Sequence, residues 1–63
     1  MVKNRLMNDQ EYLVVQRMAK YGGSFVKALA ECFRRADPVN FTKLKSTFYE
    51  YWRHYEKDFT EQA

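Results

Sequence analysis

Tyr21-Gly22-Gly23-Ser24-Phe25 is the stretch on which the reading of the fold turns, because it sets a helix stop directly against a helix start. Glycine after a helical run is the usual left-handed stop, and serine just beyond it is a good amino-terminal cap. Upstream, Asn8 precedes Asp9 and Glu11 in capping-box spacing, with Asn as the cap and Glu11 reaching back. The two acids also suit the positive end of a helix dipole. Tyr12, Val15, Met18 and Ala19 then recur at helical spacing up to Tyr21, which predicts a first helix over about 9–21.

Downstream, Phe25, Leu29, Cys32, Phe33 and Ala36 share one stripe of a helical wheel, with Lys27, Glu31, Arg34 and Arg35 opposite. The stripe predicts a second helix over about 24–36 with the thiol of Cys32 buried and inert. Asp37-Pro38 closes that helix and opens another, since Asp caps well and Pro is tolerated at the first helical position. From there Phe41, Leu44, Phe48, Tyr51, Trp52, Tyr55 and Phe59 fall within about 100° of helical arc, as a core-facing stripe should. Thr47 and Glu50 again have capping-box spacing, so the segment reads either as one continuous helix or as two, about 38–46 and 48–59, broken near Phe48 with Thr47 as the cap.

The chain is therefore expected to be all-α, a compact bundle of three or four short helices. Residues 1–7 read as a frayed amino-terminal arm, 8–60 as a single helical domain and 61–63 as a tail. Core candidates are Phe25, Leu29, Phe33, Phe41, Leu44, Phe48, Trp52 and Tyr55. A domain of 63 residues is near the lower size limit for folding without staples. Cys32 is the single cysteine, so no internal disulfide forms and a reducing cytoplasm is the natural compartment. Five Phe, five Tyr and one Trp supply dense aromatic packing instead. No apolar run approaches the ~20 residues that span a bilayer, and no membrane role is expected.

Catalysis needs converging groups, and few are present. His54 is the only histidine and falls on the polar side of its helix, with Glu50 and Asp58 as i−4 and i+4 neighbours. That arrangement reads as solvated surface charge, not as a metal site or an acid–base pair. Gly22-Gly23-Ser24 lacks the preceding strand and the spacing of a phosphate-binding loop. The expectation is a non-enzyme with no cofactor and no metal.

Binding is the remaining class. The net charge of +3 is unevenly placed: residues 1–36 carry seven Lys or Arg against three acids, and residues 37–63 carry four against five. An anionic partner would meet the first half. A helix-turn-helix reading would use Lys27, Arg34, Arg35 and Lys43, with Asn40, Thr42, Ser46 and Thr47 near bases or phosphates, but so small a net charge neutralises few phosphates. Leu13 interrupts the polar face of the first helix between Gln16, Arg17 and Lys20, and Tyr49 lies outside the aromatic stripe. Apolar residues set in a charged rim point to a protein interface made of Leu13, Arg17, Lys20 and Tyr49, facing another protein or a second copy of the chain.

Tyr21-Gly22-Gly23-Ser24-Phe25-Val26-Lys27-Ala28-Leu29-Ala30-Glu31, then Arg34-Arg35-Ala36-Asp37-Pro38-Val39-Asn40-Phe41 and Tyr51-Trp52, resembles the small early proteins of the exonuclease–excisionase (exo-xis) region of phage lambda and related temperate phages. The resemblance covers essentially the whole chain. It implies an accessory regulatory protein in the cytoplasm of the infected bacterial host, one that favours lytic development and perturbs host growth control; the partner expected from the Leu13 and Tyr49 surface would then be a host or phage protein. It implies no catalytic residue. It also implies a fourth helix, because these proteins often have proline at the position of Tyr49, where it would begin a new helix.

Overall fold

The computed structural model describes residues 7–59, apart from the side chain of Asp58. Helix α1 spans Asp9–Tyr21. The Asn8 side chain accepts the Glu11 N–H at 2.8 Å, and the Glu11 carboxylate accepts the Asn8 N–H at 3.2 Å, completing the capping box. Helix α2 spans Ser24–Arg35 and α3 spans Pro38–Thr47; Asp37 caps α3 by accepting the Asn40 N–H at 2.8 Å. Helix α4 is short, Tyr49–Arg53, and runs into a π-helical turn over His54–Asp58. The described residues thus form an all-α bundle of short helices with no strand.

The turn between α1 and α2 works differently from the sequence expectation. Gly22 has φ −75° and ψ 160°, ordinary extended backbone, and no described glycine has positive φ. What glycine supplies here is space. A Cβ on Gly22 would stand 2.5 Å from Val26 Cγ1 and 2.6 Å from the Met18 carbonyl oxygen, the same oxygen that accepts the Gly22 N–H at 3.0 Å. Ser24 is not the cap either. Gly23 occupies that position without a side-chain bond, and Ser24 is already helical.

The absence of a Cβ lets α2 lie close along α1. Val14, Val15 and Met18 of α1 face Val26, Leu29, Ala30 and Phe33 of α2 in one buried cluster. This corrects the orientation of α2. Phe25 is 54% exposed and Cys32 is exposed, so the buried arc is rotated by about 70° from the stripe read in the sequence, at 100° per residue. Met7, assigned to a frayed arm, is buried in the core instead; residues 1–6 and 60–63 lie outside the described residues.

Three rings join α2 to the second half. Phe33 and Phe41 have centroids 5.1 Å apart, Phe33 and Trp52 5.1 Å, and Phe41 and Trp52 5.8 Å, in edge or tilted geometries that favour aromatic pairs. Trp52 is fully buried, and its indole N–H has no hydrogen-bond partner among the described residues. Lys45 sits over the ring at 4.9 Å, with its ammonium 3.6 Å from Glu11. The helix break expected near Phe48 is present: Phe48 has φ −110° and ψ 38°. Thr47, however, is the last residue of α3 and caps nothing, because Phe48 is itself the joint. Leu44, Phe48 and Phe59 are only partly buried around this core.

Candidate functional site

Three of the residues singled out in the sequence gather at one place. Leu13, Arg17 and Lys20, together with Gln16 and Tyr21, line a hollow on α1 with a volume of about 160 Å³. Small-molecule sites usually enclose ~300–1,000 Å³, so this one suits an inserted side chain and not a cofactor. Its apolar members are Leu13 and Tyr21, 36% and 38% exposed, two helical turns apart.

The polar members of the hollow are held differently. Arg17 is half-buried, donates from Nη1 to the Tyr55 carbonyl at 2.9 Å, and has its guanidinium 5.7 Å from the Phe59 ring centroid. It thereby satisfies a carbonyl near a helix end, where internal donors run out, and ties the π-helical turn to α1. Lys20 is exposed, with its ammonium 5.3 Å from the Tyr21 ring, a cation–π distance. Tyr21 in turn packs against Phe59 at 5.0 Å, so the floor of the hollow is braced from the carboxy-terminal side. Tyr49 is exposed at the start of α4 and is not among the residues lining the hollow.

The residues of the nucleic-acid reading are less concentrated. Arg34 and Arg35 converge on one carboxylate, Glu31, at 3.8 and 2.8 Å. Such exposed pairs are worth little in stability. Lys27 is exposed on α2, whereas Lys43 lies on α3 beside Pro38, Val39 and Thr42. Thr42 directs its hydroxyl to the Pro38 carbonyl at 3.0 Å.

His54 is exposed, with its ring 4.8 Å from that of Tyr55 and 6.2 Å from that of Phe59. No group of three His, Cys, Asp or Glu residues able to hold a metal occurs among the described residues. None of the described helices is long and apolar enough to cross a membrane.

Two surface features escaped the sequence reading. Tyr21 belongs to the hollow, and its spacing of four residues from Arg17 was a usable signal, since it places Tyr21 at the edge of the face that carries Leu13, about 80° round α1. The second feature is an outer aromatic cluster in which Phe25 lies 6.0 Å from Phe48 and 5.5 Å from Tyr51. Its only hint was the competing apolar pair Val26 and Ala30, which pulls α2 inward on the adjacent arc and turns Phe25 out.

No protein-family model, curated protein or solved structure matches the chain.

Proposed function

We propose that this chain is a non-enzymatic early accessory protein of a temperate phage. It acts in the cytoplasm of the infected bacterium by binding another protein, favours lytic development and perturbs host growth control. The phage assignment rests on the sequence resemblance carried by Tyr21–Glu31, Arg34–Phe41 and Tyr51-Trp52. The observation that supports protein binding is the hollow on α1, where exposed Leu13 and Tyr21 stand within a rim of Gln16, Arg17 and Lys20. Tyrosine and arginine are enriched at protein interfaces, and a lysine suits the polar rim around them. Tyr49, exposed on α4, is a second contact in this reading.

Leu13→Asp tests the proposal. The substitution lies on an exposed position, so helicity and melting should stay within about 0.5 kcal/mol of the parent, while the effect on phage development is lost. Full retention of that effect by Leu13→Asp, with loss in Arg34→Ala/Arg35→Ala together with salt-sensitive duplex binding, would transfer the function to nucleic-acid contact.

A further inference from the structure

We infer that the hollow on α1 receives an acidic protein segment that inserts one large apolar side chain between Leu13 and Tyr21 and sets a carboxylate against Lys20. This rests on the protein-contact reading above and adds the chemistry of the partner. The argument is charge complementarity on an apolar floor. Lys20 and Arg17 are the charged residues lining the hollow, and among the described residues no carboxylate lines it. The acids of α1, Asp9 and Glu11, stand in its first turn, and Glu11 is held by the Asn8 N–H and by Lys45.

The side chains divide the work. Arg17 already donates to the Tyr55 carbonyl and packs on Phe59, so it is engaged within the fold and shapes the wall of the hollow. Lys20 is the exposed cation of the hollow, with three donors on a flexible stem and its ammonium near the Tyr21 ring. A carboxylate from the partner can therefore bond the Lys20 ammonium while leaving the contact with Tyr21 intact. Leu13 decides between partner classes. A nucleic-acid strand would bring phosphates for Lys20 but little more than a thymine methyl for Leu13, whereas an amphipathic acidic segment brings a carboxylate and a large apolar side chain at the spacing of one helical turn. Electrostatic attraction of this kind acts mainly on encounter rate and selection and is screened by salt.

The test uses the full chain and three probes: a synthetic helical peptide with Leu and Phe on one face and Glu on its flanks, the same peptide with Lys replacing Glu, and a short DNA duplex. In NMR titrations the acidic peptide should shift the amide signals of residues 13–21, and its affinity should fall as salt rises. Lys20→Glu should weaken it by about fivefold and Leu13→Asp by tenfold or more, each with an unchanged melting curve. The Lys-flanked peptide should bind about tenfold more weakly than the acidic one. Equal binding of both peptides, shifts centred elsewhere, or a duplex that competes at residues 13–21 and binds more tightly would overturn the inference. Should Leu13→Asp abolish the phage effect while the acidic peptide fails to bind, the partner class is wrong and the contact surface stands. Retention of the phage effect by Leu13→Asp removes the surface itself.

Discussion

The junction of α1 with α2 and the junction of α3 with α4 change the chain's direction by opposite means. At the first, two glycines separate the helices, and Gly22 is indispensable because Met18 and Val26 already occupy the space a side chain would need. At the second, one bulky residue, Phe48, leaves helical geometry while hydrogen bonds continue on both sides of it: Phe48 N–H to the Leu44 carbonyl at 2.9 Å, and Trp52 N–H to the Phe48 carbonyl at 3.1 Å. The first turn is dictated by close approach of backbone and side chain. The second is a bend imposed by packing, because Trp52 must reach the Phe33–Phe41 pair. A turn made by sterics is sensitive to its own residues, and a bend made by packing is sensitive to the anchor it serves.

The largest effect should come from removing that anchor. Trp52→Ala should cost about 3 to 5 kcal/mol and unfold so small a domain, as followed by circular dichroism during chemical denaturation. Trp52→Phe sharpens the point: it keeps a ring in the cluster and removes a buried indole N–H that has no partner among the described residues, so its cost should stay near 1 to 1.5 kcal/mol.

Next in size is the steric turn. Gly22→Ala should destabilise by about 1 to 3 kcal/mol, since the new Cβ meets the Met18 carbonyl. Gly23→Ala meets nothing within 4 Å at an ordinary φ of −72°, and should leave the melting temperature unchanged or slightly raised, by up to about 1 kcal/mol. Equal losses at the two positions would break the contrast between them.

The bend should be the more tolerant junction. Tyr49 is the first residue of α4, and the hydrogen bonds that cross the joint come from the N–H groups of Phe48, Tyr51 and Trp52. Tyr49→Pro should therefore cost less than about 1 kcal/mol, against roughly 3 kcal/mol inside an uninterrupted helix. The smallest effect is expected at the outer aromatic cluster: Phe25→Ser, at a residue already 54% exposed, should change stability by less than about 1 kcal/mol, measured in the same denaturation series.

Much of the candidate site was legible in the sequence because it depends on one helix. Leu13, Arg17 and Lys20 fall on a common side of α1 by periodicity alone, and they line one hollow. The role of Arg17 was not legible, since its acceptor, the Tyr55 carbonyl, lies 38 residues away. The same limit applies to Phe25 and Cys32. Both apolar arcs of α2 satisfy helical periodicity, and only the position of α1 selects the one containing Val26 and Ala30.

By itself, then, the sequence determined what local chemistry determines: helix type, the Asn8–Glu11 box, the Asp37-Pro38 corner and the approximate extents of α1, α2 and α3. Caps and helical period act within a few residues and need no partner. Tertiary structure alone decided which arc of α2 is buried, why Gly22 must lack a side chain, and how the last helix ends in a π-helical turn pinned by Arg17. Each of those depends on atoms brought together from different helices. Burial and steric exclusion belong to the assembled surfaces and cannot be assigned to one helix before its neighbours are in place.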